Sequence, residues 1–227
     1  MPWLFIRLKQ LKWAVLFLSS VTMGFVIMSP PAEQPAISFA GQPAAIYKGN
    51  EHIALTVNVD SSSKNTSKLV NIFIDQKVTA SFFVTSSWLK KHPKTAKLLV
   101  DRAFDIGVLL TDVSDDQAVE KEIAAVQKIL STYGRNSLLF IRAAEDTGEL
   151  PDMPAAQGYL AVQWSVNLAD QPPSELVRHV DEGDIILLNP QEDLRVTKKW
   201  LPLLLTKKKV ISLSELAGGR AQVEYIP

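Results

Sequence analysis

Residues 79–110 read TASFFVTSSWLKKHPKTAKLLVDRAFDIGVLL: a β-rich run at Thr79–Thr85, a helical pattern at Pro93–Arg102 and a second β-rich run at Ile106–Leu110. Strand, helix and strand in that order predict two parallel strands covered by a helix. The alternation extends in both directions. Ile53–Asn58, Leu138–Arg142, Leu160–Val166, Asp184–Leu188 and Lys209–Ser212 bring the expected strands to seven, and Lys68–Gln76, Asp116–Tyr133, Ser174–Asp181 and Arg195–Lys207 are further helices. The clearest helix follows Asp116, where Val119, Ile123, Val126, Ile129 and Leu130 recur at helical spacing and Ser114 to Gln117 reads as a capping box. Units of this length suit an open doubly wound sheet or a barrel, and periodicity does not separate the two.

Composition narrows the chemistry. The 227 residues carry 24 Lys plus Arg against 24 Asp plus Glu, so bulk electrostatics gives no support to nucleic-acid binding. With 47% hydrophobic and 21% charged residues the chain is globular rather than disordered. It has no cysteine, which removes disulfides, thiolate nucleophiles and thiolate metal sites, and its only histidines are His52, His92 and His179.

Trp13 to Met28 is uncharged and apolar and follows Arg7, Lys9 and Lys12. With Leu11 and a snorkelling Lys12 it reaches roughly the 17 to 20 residues a bilayer requires. The basic flank places the N-terminus inside and the rest of the chain outside. Residues 1–28 are therefore expected to be a cytoplasmic flank with an uncleaved single-pass anchor; cleavage at Ser38-Phe39-Ala40, giving a secreted protein, is the alternative. Residues 29–43, with Pro30, Pro31, Pro35 and Pro43, read as a tether, and 44–227 as one α/β domain. Without Arg7, Lys9, Lys12 and Glu33, that domain keeps 21 basic and 23 acidic side chains, so net charge alone would not hold an anionic wall polymer.

A series of phrases in order resembles the polysaccharide deacetylase, or NodB-homology, domain of family 4 carbohydrate esterases. They are Ile53-Ala54-Leu55-Thr56, Ala80-Ser81-Phe82-Phe83-Val84, Asp105-Ile106-Gly107, Leu139-Phe140-Ile141-Arg142, Trp164-Ser165-Val166-Asn167 and Gly183-Asp184-Ile185-Ile186-Leu187-Leu188. The run from Leu201-Pro202 through Val210-Ile211-Ser212-Leu213-Ser214-Glu215-Leu216 resembles the family's closing helix and strand, so the likeness covers about Ala45 to Leu216. The anchor, Ala45-Ile46-Tyr47-Lys48-Gly49 and the WSVN phrase are most similar to the branch associated with bacterial sporulation. The resemblance implies a distorted (β/α) barrel of seven strands.

It also implies a chemistry: an aspartate base, a second aspartate and two histidines on a divalent metal that activates water, and a further histidine that protonates the leaving amine. At the matching positions this chain has Asn58 for the base, Val59, Leu109 and Val113 for the metal ligands, and Asn189 for the acid. An amide takes no proton from water near neutral pH, and aliphatic side chains bind no metal. The expectation is a pseudoenzyme without metal or other cofactor, a membrane-anchored protein with a glycan-binding or structural role in cell-wall or spore-envelope metabolism. A weak or unconventional deacetylase of peptidoglycan or related glycans is the alternative, and a protein-interacting module whose groove is filled by Val59, Leu109 and Val113 is a third reading.

Arg142, Trp164 and Asp170 are the candidate substrate-binding residues, which the resemblance places round the groove with the arginine paired to an acidic group. Their competing role is structural, as a buried ion pair and core aromatic. Asp112, Asp115 and Asp116 with Asp60 are the one acidic group able to hold a hard cation, but the first three precede a helix, where capping accounts for them. The histidines read as surface or capping residues, and Lys198-Lys199 and Lys207-Lys208-Lys209 as a solvated helix face and a helix C-terminus.

Overall fold

The computed structural model describes residues 45–145, 157–168, 173–188, 190 and 194–218. The expected anchor and tether, Asp170 and Asn189 lie outside the described residues. Among those described, no helix is long and apolar enough to cross a membrane.

Among the described residues the sheet is parallel and has nine strands: β1 (Ala45–Ile46), β2 (Ile53–Val59), β3 (Ser81–Val84), β4 (Asp105–Leu110), β5 (Phe140–Ala143), β6 (Leu160–Val162), β7 (Val166–Asn167), β8 (Ile185–Leu188) and β9 (Val210–Ile211). Their order is β1-β6-β5-β4-β3-β2-β8-β7, with β9 beside the first two residues of β2. The architecture is an α/β half-barrel of parallel strands.

Seven strands were expected, and the difference has a physical cause. β1 is two residues long, too short for periodicity to show. The single expected strand over 160–166 divides because it changes partners: Gln163 N donates to Ile46 O at 2.9 Å, whereas Ser165 N donates to Ile185 O at 3.0 Å. β6 therefore lies beside β1 and β5, and β7 lies at the other end of the sheet beside β8. Three residues, Gln163 to Ser165, join the two ends, so β6 and β7 are at most about 14 Å apart. Among the described residues the sheet curls like a barrel, but β1 and β7 share no ladder, and the seam is crossed by chain instead.

A second crossing runs below it. Gly49 N donates to Gly183 O at 2.7 Å and Gly183 N to His52 O at 2.6 Å. Asp184, which is buried, takes Ser165 Oγ at 2.9 Å, Asp181 N at 2.7 Å and Lys48 Nζ at 3.2 Å.

Alternation sorts the strand residues onto two faces. On β2, Ile53, Leu55, Val57 and Val59 join the outer core under the helices, while Ala54, Thr56 and Asn58 face the barrel interior. The helices are α1 (Thr66–Asp75), α2 (Ser86–Lys91), α3 (Pro93–Asp101), α4 (Asp116–Ser131), α5 (Pro173–His179), α6 (Leu194–Lys207) and α7 (Leu213–Gly218). Helix α4 buries Val119, Ile123, Val126 and Leu130. Its cap is Asp115, which accepts from Gln117 N at 3.2 Å, rather than Ser114, whose hydroxyl donates to Asp112 at 2.6 Å. Helices α2 and α7, each six residues long, are too short for a periodic signal. Beyond the expected closing helix and strand, α7 floors the barrel: Leu213 and Leu216 join the inner core, and Ser214 N and Oγ donate to Asp105 at 2.9 and 2.7 Å.

Gly183 sits at φ +84, and a Cβ there would collide with the Gly49 carbonyl oxygen. Gly183→Ala is therefore expected to cost more than about 3 kcal/mol, through strain and loss of the seam contact. Gly134→Ala, at φ +87 in open space, is expected to cost only about 1 kcal/mol. Denaturant midpoints compare the two, and equal losses would mean that the seam does not need this close approach.

Candidate functional site

Ligand sites of parallel α/β folds lie at the carboxyl ends of the strands. Here Asn58 near the end of β2, Leu109 on β4, Arg142 on β5 and Trp164 just after β6 share the inner face. Arg142 dominates it. The side chain is fully buried, with Nε donating to Val162 O at 2.9 Å, Nη2 to Gln163 O at 3.1 Å, and Nη1 to Thr56 Oγ1 at 2.9 Å and Asn58 Oδ1 at 3.1 Å. Thr56 Oγ1 passes its own hydrogen to Ile186 O at 3.0 Å, which extends the network to β8. The guanidinium carbon lies 3.9 Å from the Phe83 ring centroid and 5.5 Å from that of Trp164, within cation–π range.

Among the described residues every hydrogen-bond partner of this cation is electrically neutral. Among the described residues no carboxylate pairs with it, and burial pushes its pKa well below the ordinary arginine value. Within the described residues its partners are carbonyls, a hydroxyl, an amide and two ring faces, while Asp170 lies outside them. Arg142 and Trp164 do come together. Yet a fully buried guanidinium with four N–H groups engaged does not itself reach a ligand, so Arg142 is a positioning residue that holds Asn58. Asn58 and Trp164 remain partly exposed.

The three positions implied as metal ligands do not converge. Val59 is fully buried in the outer core, Val113 packs against that same core, and Leu109 is buried in the inner one beside Phe83 and Phe140. Leu109 alone of the three occupies barrel interior, so the expectation that all three fill the groove is corrected: the pleat turns Val59 to the opposite face from Asn58. None of the three carries a donor atom, so the residues present do not fit the family's metal. Among the described residues no group of three or more His, Asp or Glu side chains is arranged to hold one.

The acidic residues are spent locally. Asp60 accepts from Ser62 N, Ser62 Oγ and Ser63 Oγ at 2.9, 2.7 and 3.0 Å. Partial burial raises its pKa, but these bonds together outweigh that and hold it below the usual carboxylate value. Asp112 is likewise held low, by the Ser114 hydroxyl and then the Ser114 amide. Of the histidines, His52 donates its backbone N–H to Glu182, His92 stacks on Trp88 at 5.2 Å, and His179 Nδ1 sits 2.9 Å from Glu175 O. None belongs to the Arg142 network.

Sequence reasoning missed Thr56 and the carbonyls of Val162 and Gln163. One signal was present: Thr56 and Asn58 are two polar residues on the inward side of an otherwise apolar strand, and buried polar groups need partners.

The polysaccharide deacetylase family model matches residues 46–145. An uncharacterized 30.6 kDa protein in the fumA 3' region of Geobacillus stearothermophilus is 25% identical over 167 residues, 64% of this chain and 63% of its own length. The chain thus spans less than two thirds of that curated relative. Bacillus subtilis PdaA, a family 4 carbohydrate esterase, superposes with a TM-score of 0.66 at 21% identity, covering 77% of this chain and 85% of that one. A family 4 pseudoenzyme from Bacillus anthracis gives 0.64 at 20% identity over 78% and 69%. A mutant of it with restored enzymatic activity gives 0.65 at 20% identity over 78% and 72%. The fold is that of the family 4 carbohydrate esterases, and family model and structures together support a polysaccharide deacetylase domain.

Asn58→Asp would place a carboxylate against a guanidinium that no described carboxylate offsets. The cation lowers the new carboxyl's pKa, so the added stability is present above the unfolded value of about 3.9 and is lost as pH falls through the folded one. A gain of about 1 kcal/mol, or about 2–4 °C in Tm, is expected at pH 7, vanishing toward about pH 2. An unchanged Tm at pH 7 would show that Arg142 is already neutralised.

Proposed function

We propose that this protein is a membrane-anchored, extracytoplasmic polysaccharide-deacetylase-like factor that binds or organises cell-wall or spore-envelope glycan without deacetylating it. The observation that carries this reading is Asn58. It stands at the position the family resemblance assigns to the base, and its carbonyl is tied to Arg142 at 3.1 Å. Deacetylation needs a group that removes a proton from water and a Lewis acid that polarises the amide carbonyl. An amide does not supply the first, and Val59, Leu109 and Val113 carry no donor to hold the second. Losing such elements together leaves binding without turnover.

Two further observations support the reading. The pseudoenzyme from Bacillus anthracis is a precedent on the same fold. Asn58 and the partly exposed Trp164 put an amide and an aromatic face at the mouth of the barrel, a pairing suited to a sugar ring and its polar substituents. The anchor over residues 13–28 and the tether over 29–43 would hold the domain near the wall.

The test is acetate release by the whole purified chain from peptidoglycan and N-acetylated chitooligosaccharides, with zinc or cobalt and again with chelator, beside an active family 4 esterase. Release at the level of buffer, with retention of the chain on insoluble glycan, is expected. Metal-dependent release would place a working site in this chain, and release that persists in chelator would make it an unconventional hydrolase.

A further inference from the structure

We propose that the outer face of α6 docks on a membrane surface rich in anionic phospholipid, with Leu203 entering the lipid; this rests on the anchored reading for nearness to the bilayer, not for its chemistry. The chain as a whole is neutral, but its charge is segregated. Residues 194–209 carry Arg195, Lys198, Lys199, Lys207, Lys208 and Lys209 and no acidic residue, whereas residues 112–120 carry Asp112, Asp115, Asp116 and Glu120 and no basic one. An anionic surface attracts the first stretch and repels the second, so it selects one side of the domain.

The helix sorts its residues by face. Thr197, Trp200, Leu201 and Leu204 are buried, while Lys198, Lys199, Leu203, Thr206 and Lys207 are exposed at helical spacing. Leu203, at 58%, is the most exposed large hydrophobic residue among those described, and it stands one helical turn from both Lys199 and Lys207. A leucine between lysines, whose stems lie along lipid while their ammonium groups reach the headgroups, is the composition of an interfacial helix. No described carboxylate pairs with Lys198, Lys199, Lys207 or Lys209, and Lys208 is held by Glu182 at 3.0 Å. The flanking α1 and α5 and the residues just after them bring both signs in balance, Lys68, Lys77 and Arg178 against Asp75, Glu175 and Asp181, so they do not cancel this face.

The lysines at the end of α6 also lie at the end of the barrel where the tether enters. β9 starts at Val210 beside Ile53, the first residue of β2, so residues 207–209 stand at the amino ends of the strands, as does Ala45 at the start of the parallel β1. Lys48 reaches Asp184 at 3.2 Å and Lys208 reaches Glu182, two residues earlier, which ties these lysines to the segment that follows the tether. Residues 29–43 span at most about 54 Å, so a domain hung from them stays within reach of the bilayer.

The chain has no cysteine, so Leu203→Cys carries a single polarity-sensitive fluorophore, and Ala124→Cys, exposed on α4, carries the control. The whole chain is floated with vesicles of phosphatidylcholine, with and without phosphatidylglycerol, and is also mixed with free inorganic polyphosphate. A blue shift at 203 in the anionic vesicles alone is expected, with none at 124. It is expected to vanish at about 1 M salt, where the Debye length is about 3 Å. Each lysine near such a surface favours docking roughly fivefold, so Lys198→Glu, Lys199→Glu and Lys207→Glu together are expected to lower the docked-to-undocked ratio at least about a hundredfold. The Tm of this variant checks its folding. Flotation with the anionic vesicles only, accompanied by the shift at 203, sinks the anchor and leaves the docking face standing. The same emission at 203 in both lipids overturns the proposal, as does a shift that survives the three reversals. Polyphosphate binding with no shift at 203 in vesicles overturns it too and assigns the face to a soluble polyanion.

Discussion

A buried guanidinium has to satisfy its N–H groups inside the protein, and the interior of this barrel is arranged round that demand. Arg142 reaches β2 through Thr56 and Asn58, β6 and the turn after it through two carbonyls, and β8 at one remove through the Thr56 hydroxyl. Leaving such a cation unpaired costs several kcal/mol, so the four bonds and the two ring faces constrain where those strands stand relative to β5. At the strand end the same cation holds the Asn58 amide oxygen at 3.1 Å.

The same strands depend on how the sheet is closed. Its two ends are joined by the covalent crossing at 163–165 rather than by a ladder, and Asp184 staples that crossing to the 47–52 segment that carries β1 to β2. Gln163 belongs to both systems: it opens the 163–165 crossing with its amide still paired to β1, and its carbonyl accepts from Arg142. Disturbing the seam would therefore be felt in the network. At the opposite end of the barrel, Asp105 holds the first turn of α7, whose Leu213 and Leu216 fill the floor. Asn58 and Trp164 stand toward the other end, at the carboxyl ends of the strands.

The strands from β2 to β5 were legible because each is a run of β-branched and aromatic residues between helical patterns. What stayed hidden was non-local. Arg142 finds its carbonyl partners 20 and 21 residues away, on atoms common to every residue type, so no side-chain pattern announces them. The partner switch within 160–166 is hidden for the same reason, since the residues read as one strand and only the pairing divides them. Val59 shows a different limit. Matching it to a family position said which residue type was missing, but the pleat decides that it enters the outer core.

The account makes the guanidinium, rather than a bound metal, the fixed positive charge of the interior, because the matching ligand positions hold aliphatic side chains. Thermal unfolding of the whole chain in saturating zinc or cobalt and in chelator tests this most directly. A ligand that binds only the native state at 100 times its Kd adds about 2.7 kcal/mol, a shift that thermal unfolding resolves readily. The account predicts the same Tm in both conditions, to within about 1 °C. A saturable rise of several degrees with metal would contradict it.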